Sequence, residues 1–346
     1  MKDKLNILVL AGGLSNEREV SLASGRAIVG ALKRLGHNIN IIDTASGKSL
    51  LDSRGEYILE KDDKSLSKIA LKQSESLVLS EAIRTEPYNN SDLVFIALHG
   101  GAGEDGTIQA LLDLVNMKYT GSNMMSSAMA MNKSIAKKLV ENEKIPTPKY
   151  LLLSGEKKSI DEQIEEIGNA FSLPLIVKPN NSGSTVGLTK VDDSNSLCDA
   201  LQIAYDISSE VLVEEYIDGR EITSAILDDE IFPLVEIIPS NELYDYQCKY
   251  TRGKSEYVCP ADIPNEITGL IKDYGRRAYN ALGCSGLVRV DFILDKDNTP
   301  WFLELNTLPG MTELSLAPMA AKRAGLKFDM LIDKICQSAM KNDISQ

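Results

Sequence analysis

The chain opens with apolar runs separated by an amphipathic stretch. NILVLAGG is an apolar run that ends at two glycines, NEREVSLASGRAIVGALKRLG has the apolar spacing of a helix, and HNINIID is a second apolar run. A strand, a helix and a further strand in this order are typical of a βαβ unit, in which helices cover a parallel sheet. We therefore predict an α/β fold that begins with a Rossmann-like parallel sheet. We also predict a capping box from Asn16 to Glu19 at the first helix.

The next part of the chain interrupts this pattern and then resumes it. Residues 45–90 are polar and show no regular period, so we expect irregular structure there. SDLVFIALHGGAGEDG follows as a strand that enters a glycine-rich loop, and TIQALLDLVN has helical spacing. SAMAMNKSIAKKLVENEK is again amphipathic, with lysines in its later turns.

Paired strands dominate the rest of the chain. LPLIVKPNNSGSTVGLTKV predicts a strand, a loop and a strand, and GLVRVDFILDKDNTPWFLELNT predicts a hairpin around the turn DKDN. VLVEEYIDGREITSAIL also predicts strand, turn and strand, and indicates the crossing into a further domain. We predict three domains, at residues 1–120, 121–214 and 215–346, the last with a lid loop at about residues 241–262.

Charge and composition narrow the class of protein. The 346 residues are 43% hydrophobic and 25% charged, as in soluble globular proteins. A net charge of -13 argues against a general nucleic-acid binder, which needs a basic face. No apolar run approaches the roughly 18 residues of a membrane span. The net charge does not exclude a local basic pocket, whose candidate residues are Lys133, Lys137, Lys138 and Lys178.

Cysteine and histidine usage indicates a reduced, cytoplasmic protein without a zinc site. The five cysteines include no C-x-x-C pair, which is typical of free thiols in a reducing compartment. Only His37 and His99 are present, so a histidine-rich metal site or a Ser-His-Asp triad is a poor explanation of function. LNILVLAGG is followed directly by charged residues, and we interpret it as a buried strand and not as a signal peptide.

The hairpin around DKDN carries a candidate metal site. Arg289 and Asp291 are two residues apart on one strand, and Glu304 and Asn306 are two apart on the other. Each pair shares a face, and folding at the turn brings the pairs within cross-strand reach if the register matches. Two carboxylates and an amide oxygen suit Mg²⁺, which binds few carboxylates together with phosphates and waters. A solvated polar face paired through Arg289 is the alternative.

Two glycine-containing turns are candidate anion sites. In VKPNNSGSTVG, Lys178 precedes the glycines, unlike the lysine of a P-loop, so a phosphate flap and a plain hairpin turn both remain open. In NTLPGMTELS, Gly310 can present a backbone N–H and Ser315 can begin the next helix, where oxyanions bind. A simple helix cap is the alternative at Ser315.

Four weaker signals accompany these turns. Glu214 and Glu221 flank the turn in EEYIDGRE and suit an adenine amino group and ribose hydroxyls. YDYQCKY, residues 244–250, has the character of a lid or of an ordinary surface loop. His99 follows a strand at its carboxyl end, where α/β sheets bind ligands, although a structural histidine is more frequent. Glu17 lies in a first helical turn, where an acid is also expected from the helix dipole.

Seven motifs, in their order along the chain, resemble the D-alanine–D-alanine ligase family of ATP-grasp enzymes. They are AGGLSNEREVSL, LHGGAGEDGT, VKPNNSGSTVG, EEYIDGRE, YDYQCKY, GLVRVDF and LELNTLPGMT. The resemblance covers nearly the whole chain except residues 45–90. It implies three α/β domains with ATP between the second and third. It also implies that ATP phosphorylates the carboxylate of one D-alanine and that the amine of a second attacks the acyl phosphate, which supplies a peptidoglycan precursor.

The resemblance implies roles for the residues at matching positions. Residues that would bind ATP are Lys133, Lys178, Ser184, Thr185, Glu214, Ile217, Glu221 and the lid residue Lys249. The residues that would hold Mg²⁺ are Asp291, Glu304 and Asn306. The resemblance implies two Mg²⁺ ions, with Mn²⁺ as an alternative metal. Residues that would bind the substrates are Glu17, His99, Tyr250, Arg289, Ser315 and Leu316. Residues implied in catalysis are Glu17, Ser184, Tyr250, Arg289, Gly310 and Ser315.

Within these sets the resemblance assigns particular tasks. Glu17 would bind the ammonium of the first D-alanine, and Ser315 with Leu316 the carboxylate of the second. Arg289 and the Gly310 N–H would stabilise the oxyanion of the tetrahedral intermediate.

The lid completes these assignments. Tyr250 would link with Ser184 and Glu17, and the pairing of Lys249 with Tyr250 favours an amide product over the ester with D-lactate. A homodimer is implied by the family alone.

Some positions depart from the family. Ser182 stands where a glutamate is frequent, Asn132 where aspartate is common, and Gln247-Cys248 where Glu-Ala is frequent. Two other functions therefore stay open: another ATP-grasp carboxylate–amine ligase, including one that uses D-serine or D-lactate, and a non-catalytic nucleotide-binding module. The intact set in the DKDN hairpin argues against the second, because binding alone does not need it.

Overall fold

The strands among the described residues form three sheets. A computed structural model describes residues 4–58, 75–155, 158–239 and 255–341. The first sheet contains β1 (Asn6–Ala11), β2 (Asn38–Asp43), β3 (Lys48–Ser49) and β4 (Leu93–Ile96). The second contains β5 (Tyr150–Ser154), β6 (Leu175–Pro179), β7 (Thr189–Val191) and β8 (Glu210–Glu215). The third contains β9 (Gly219–Leu227), β10 (Glu230–Ile231), β11 (Val235–Pro239), β12 (Ser255–Val258), β13 (Leu287–Asp295) and β14 (Pro300–Asn306).

Helices cover these sheets and connect them. Those before the second sheet are α1 (Arg18–Arg34), α2 (Glu75–Ala82), α3 (Thr107–Leu114), α4 (Met124–Met131) and α5 (Lys133–Asn142). Those that follow are α6 (Ile160–Ala170), α7 (Leu197–Tyr205), α8 (Asn265–Ala281), α9 (Leu316–Arg323) and α10 (Phe328–Lys341).

The first sheet has the predicted parallel arrangement. Its order is β3-β2-β1-β4, and β1 pairs in parallel with both β2 and β4. The residues of β1 from Ile7 to Ala11 are buried, because α1 covers one face of this central strand and other helices cover the opposite face. The βαβ prediction is confirmed.

The predicted capping box at α1 is wrong. The helix begins at Arg18, and its N-cap residue Glu17 makes no side-chain capping bond. The Glu17 carboxylate instead accepts a hydrogen bond from Ser184. A local pattern of polar residues could not show this, because Ser184 lies far away along the sequence.

The prediction of irregular structure for residues 45–90 is only partly correct for residues 45–58 and 75–90, and its remainder, residues 59–74, lies outside the described residues. A short strand, β3, extends the sheet, and α2 forms just before a 3₁₀ turn at Tyr88–Asn90. Leu79 and Ile83 of this segment are buried against residues of the first sheet. These two apolar side chains are four residues apart, which is helical spacing, and they pack this helical segment against the sheet. The polar residues around them hid the helical pattern in the sequence.

The second and third sheets contain the predicted hairpins. In the second sheet the order is β5-β8-β6-β7, and β6 pairs antiparallel with β7. In the third sheet β13 pairs antiparallel with β14 and with β9. Strands β8 and β9 follow each other in sequence but belong to different sheets. The residue bounds of the three domains remain a prediction.

Helices α9 and α10 join the two ends of the chain. Ile332 and Ile335 of α10 and Ala320 of α9 share one buried cluster with Ile7 of β1 and Leu227 of β9. The first and third sheets are therefore packed on a common apolar layer. Among the described residues, no helix combines the length and the apolar composition that a membrane crossing requires.

We predict that Phe302 on β14 is a major contributor to stability. Its side chain is fully buried, and its ring lies edge-on to Phe292 with 6.1 Å between ring centroids. Phe302→Ala should lower the free energy of unfolding by about 3–5 kcal/mol, through lost burial and the cavity left behind. Urea unfolding monitored by circular dichroism measures this change.

Leu114 provides the matched control for this prediction. Its side chain is 83% exposed, so Leu114→Ala should change stability by less than about 0.5 kcal/mol. Equal losses in the two variants would show that the layer beneath β14 is not the tightly packed core described above.

Candidate active site

Two adjoining clefts collect most of the residues that the sequence pointed to. The larger, of about 600 Å³, is lined among others by Glu17, His99, Glu104, Arg289, Asn306, Gly310, Ser315 and Leu316. The smaller, of about 150 Å³, is lined among others by Lys178, Thr185, Glu214, Ile217, Glu221 and Asp291. Lys133, Ser182, Gly183 and Glu304 line both clefts. A molecule in the smaller cleft would therefore meet a molecule in the larger one beside Lys133 and Glu304.

The register of β13 and β14 brings the predicted hairpin residues together. Arg289 lies opposite Asn306, and Asp291 lies opposite Glu304. One edge of the Arg289 guanidinium contacts both carboxylate oxygens of Asp291, with Nη2 2.8 Å from Oδ2 and Nε 2.9 Å from Oδ1. Thr223 of β9 donates a further hydrogen bond to Asp291, of 2.6 Å. Cross-strand proximity is confirmed, and the predicted alternative of a salt bridge through Arg289 is present as well.

A break between two helices directs Lys133 toward this hairpin. The stretch that reads as one amphipathic helix is divided at Asn132, whose side chain accepts a hydrogen bond from the N–H of Ile135 and caps α5. Lys133 becomes the first residue of α5. Its Nζ lies 2.6 Å from the carbonyl oxygen of Ser182 and 3.1 Å from Glu304 Oε2.

A buried carboxylate lies between two lysines at the floor of the smaller cleft. Glu214 Oε1 accepts a hydrogen bond from Lys178, and its Oε2 lies 2.9 Å from Lys137 Nζ. Burial alone would raise the pKa of Glu214, but the two ammonium groups together hold it below its usual value. Of the predicted basic residues, Lys137 thus lies against the same carboxylate as Lys178, although it lines neither cleft. Lys138 is exposed, and its inclusion was wrong.

The loop between β6 and β7 reaches from the smaller cleft to the larger one. Ser184 and Thr185 have positive φ angles of 51° and 61°, a conformation that is unfavourable for residues with a side chain. Ser184 donates a hydrogen bond to Glu17, and a Cβ on Gly183 would lie 3.2 Å from Glu17 Oε2. Strain of this kind is characteristic of ligand-binding loops, and here the strained Ser184 contacts a predicted substrate-binding carboxylate.

Two loops of the first sheet fix the position of Glu17. Ser15 accepts a 3.2 Å hydrogen bond from the N–H of Glu17 and donates a 2.5 Å bond to the carbonyl of His99. Arg18 and Asp43 form a two-pronged ion pair, with distances of 2.8 and 2.9 Å. Asp43 also accepts a hydrogen bond from the N–H of Gly13, so this pair closes the glycine turn that precedes Glu17.

His99 is buried and held at both ring nitrogens. Nε2 lies 2.9 Å from Ser24 Oγ, and Nδ1 lies 3.0 Å from the carbonyl oxygen of Leu308. Glu104 Oε1 lies 3.8 Å from Nδ1. Burial raises the pKa of Glu104, and the nearby charge of Glu17 adds to this effect. The histidine borders the larger cleft, and its bonds fix the loop after β4 to the turn at Leu308.

Ser315 and Gly310 lie at the opposite side of the larger cleft. Ser315 is the N-cap residue of α9, as predicted, yet its hydroxyl does not cap the helix. It accepts a 3.1 Å hydrogen bond from the N–H of Thr312 instead. A Cβ at Gly310 would approach Ser315 Oγ to 3.1 Å, so the turn is closely packed against the serine. Leu316, the first residue of α9, is buried beside them.

The predicted metal residues form a mixed donor set. Among the described residues, no group of three or more histidine, cysteine, aspartate or glutamate side chains is placed to hold a metal. Asp291 and Glu304 contribute two carboxylates, and only the amide oxygen of Asn306 makes a third donor. This set fits a hard divalent ion that takes its remaining ligands from phosphate and water.

Some predicted residues cannot be placed, and some contributors were missed. Lys249 and Tyr250 of the lid lie outside the described residues. Glu104, Ser15 and Asp43 were not singled out, although Glu104 stands in the quoted GAGEDG stretch. An acidic residue in a glycine turn that follows a strand was the available signal. No such signal marks Ser15 and Asp43, whose contacts with His99 and Arg18 join segments distant in sequence.

Comparison with known proteins gives consistent matches along the chain. Family models described as "D-ala D-ala ligase N-terminus" and "D-ala D-ala ligase C-terminus" match residues 6–122 and 139–337. A D-alanine–D-alanine ligase of Pelotomaculum thermopropionicum is 40% identical over 344 residues, which is 98% of each chain.

Solved structures are similar over the same extent. The D-alanine–D-alanine ligase of Bacillus anthracis complexed with ATP has a TM-score of 0.74 at 30% identity, covering 97% of this chain and 98% of that one. The VanG D-Ala:D-Ser ligase of Enterococcus faecalis has a TM-score of 0.75 at 30% identity, covering 97% and 99%.

We predict that Asp43→Asn destabilises the protein much more than Asp329→Asn. Asp43 is nearly inaccessible and its partner Arg18 is 19% exposed, so the variant removes a buried negative charge that faces a mostly buried guanidinium. The free energy of unfolding should fall by about 2–3 kcal/mol. Asp329 forms an equally short pair with Arg34, but that arginine is 55% exposed. Its loss should be below about 1 kcal/mol. Urea denaturation of both variants is the measurement, and equal losses would contradict the structural role of Asp43.

Proposed function

The chain belongs to the D-alanine–D-alanine ligase family, and we propose how its residues divide the work of that reaction. It is an ATP-grasp enzyme that joins two D-alanine molecules in an ATP-dependent reaction. In the proposed course, the carboxylate of the first D-alanine attacks the terminal phosphoryl group of ATP and ADP leaves. The amine of the second D-alanine then attacks the resulting acyl phosphate, and inorganic phosphate leaves as the peptide bond forms.

One observation carries the proposal: Lys133 and Glu304 line both clefts. Phosphoryl transfer requires the nucleotide and the acceptor carboxylate to meet in one place with their charges compensated. The junction supplies a cation at Lys133 and an anion at Glu304, 3.1 Å apart. A site for nucleotide binding alone would not need an open connection to a second cleft of about 600 Å³.

The smaller cleft is the proposed nucleotide site. Lys133 and Lys178 would contact the phosphates, and the strained loop at Ser184 and Thr185 would cover them. Glu214, Ile217 and Glu221 would contact adenine and ribose. The buried position of Glu214 and the location of Ile217 and Glu221 on the same wall support this assignment. Lys249 would join from the lid.

The larger cleft is the proposed site for both D-alanines. Glu17 would bind the ammonium of the first, with Ser184 and the lid residue Tyr250 as its neighbours. Ser315 and Leu316 would bind the carboxylate of the second. His99 holds the surrounding loops in register and would border the substrates.

Charge develops on the attacked carbonyl oxygen during the second step. Arg289 and the N–H of Gly310 would stabilise that oxyanion, because both border the larger cleft near the hairpin. Arg289 is 15% exposed and is held by Asp291, so its guanidinium needs little reorganisation. A donor that is already oriented stabilises a transition state more than a mobile one does.

We further propose that Asp291, Glu304 and Asn306 hold Mg²⁺, as two ions, with Mn²⁺ able to replace it. The ion would neutralise charge on the transferring phosphoryl group. Since the two carboxylates now pair with Arg289 and Lys133, these two side chains would share or exchange their partners when the metal binds. A cytoplasmic location, a homodimer, and domains at residues 1–120, 121–214 and 215–346 complete the proposal.

A panel of substrates tests the reaction. We expect ATP-dependent phosphate release with D-alanine and formation of D-alanyl-D-alanine, with little turnover of L-alanine or of D-alanine with D-lactate. D-serine belongs in the panel as second substrate, because the similar VanG protein is a D-Ala:D-Ser ligase. A preference for D-serine over D-alanine at the second position would contradict the proposed specificity.

The metal assignment has its own test in Glu304→Gln. The amide keeps the shape of the side chain but removes its charge, so turnover should fall by about 100-fold or more, since even second-shell partners of a metal are worth about 10–100-fold. The Mg²⁺ concentration for half-maximal rate should rise. Glu256→Gln changes an exposed carboxylate of the same sheet and should leave both values unchanged. A Glu304→Gln enzyme with the normal rate and Mg²⁺ dependence would refute the assignment.

A further inference from the structure

Glu214 places a buried carboxylate at the floor of the smaller cleft. The residue is 2% exposed, and its Oε1 accepts a hydrogen bond from Lys178. Its Oε2 is buried and lies 2.9 Å from Lys137 Nζ, which is its ionic partner. A carboxylate oxygen can accept more than one hydrogen bond, so a donor from a ligand can join the lysine at this carboxylate.

The two lysines beside Glu214 are held differently. Lys178 lines the smaller cleft, and the proposed function assigns it to the phosphates. Lys137 is fully buried and lines neither cleft. Its Nζ donates a 2.6 Å hydrogen bond to Thr147, whose hydroxyl donates in turn to the carbonyl of Phe302. The Tyr150 ring lies 5.3 Å from Nζ. Lys137 therefore has no route to a nucleotide phosphate.

A charge problem arises when a nucleotide binds. If Lys178 turns from Glu214 to a phosphate, the buried carboxylate loses one of its two cations. A buried carboxylate without a counter-charge takes up a proton and changes from an acceptor to a donor. Lys137 is the cation that remains. Burial lowers its pKa to about 8, which leaves the ammonium mostly protonated near neutral pH.

We propose that Lys137 is a positioning residue that keeps Glu214 ionised and oriented as a hydrogen-bond acceptor while Lys178 serves the phosphates. The enzyme would thereby prefer a 6-aminopurine nucleotide, whose amino group donates, over a 6-oxopurine nucleotide, whose oxygen accepts. This inference rests on the proposed contact between Glu214 and the nucleotide base. It adds a residue that acts on base selection without touching the nucleotide.

The test compares ATP with inosine triphosphate, which carries oxygen in place of the amino group. In Lys137→Met, the ratio of kcat/KM for ATP to that for inosine triphosphate should fall by about tenfold or more, the value of one hydrogen bond to a charged group. The KM for D-alanine should stay within about twofold, because the change acts only on the nucleotide. Lys137→Arg should retain much of the preference. Lys138→Met, one position along the same helix and exposed, should behave as the wild type.

A second variant covers the case in which Lys137→Met does not fold. Thr147→Val removes the hydroxyl that holds Lys137 Nζ but keeps both charges and the side-chain shape. It should lower the ATP preference in the same direction and by a smaller factor. Thermal unfolding of every variant identifies losses of activity that come from instability, which would reduce the rates with both nucleotides equally.

Glu214→Gln separates failure of this inference from failure of the proposed function. If Glu214→Gln loses the preference while Lys137→Met and Thr147→Val keep it, Glu214 contacts the base and Lys137 has no positioning role. If Glu214→Gln keeps the wild-type preference, the proposed base contact itself is overturned, and the role of Lys137 with it. Loss of the preference in all three variants supports the inference.

Discussion

The antiparallel register of β13 and β14 is the constraint on which both the core and the site depend. It places Asp291 opposite Glu304 on the cleft side. It also places Phe292 opposite Phe302 in the buried layer, across a shift in register that follows Asp291. A slip of one residue would exchange the faces of a strand and put carboxylates into the core. Since burying an unpaired charge is so unfavourable, the packing of the phenylalanines and the position of the charged residues enforce the same register.

The charged groups of the site are already paired within the protein. Glu304 contacts Lys133, Asp291 contacts Arg289, and Glu214 contacts Lys178. Each of these groups is one that the proposed reaction assigns to a nucleotide, a metal or a developing oxyanion. Ligand binding would therefore exchange one ionic partner for another in a desolvated site and would not create new buried charge. Exchange of this kind limits the desolvation cost that isolated buried charges would impose.

Local sequence patterns predicted most helices and strands well. Contacts between distant residues determine the features that local patterns could not predict. The βαβ start and the DKDN hairpin follow from apolar periodicity and turn residues that lie next to each other in the chain. The interruption of a helical pattern at Asn132 does not follow from neighbouring residues, because it depends on hydrogen bonds with Asn180 that join distant segments. The same holds for Asp43, which acts through Arg18, and for Lys137, which a count of lysines could not distinguish from Lys138.

Asn132 and Ser182, the two described positions at which the sequence is expected to depart from the family, leave these contacts intact. Lys133 donates to the backbone carbonyl at Ser182, which any residue would offer, so the serine side chain does not alter this link. The Oδ1 atom of Asn132 accepts hydrogen bonds from the Ile135 N–H and the Asn180 amide. An aspartate oxygen would accept the same bonds. Because the contacts that position Lys133 use only atoms common to both residue types, the substitutions are compatible with an intact junction between the clefts.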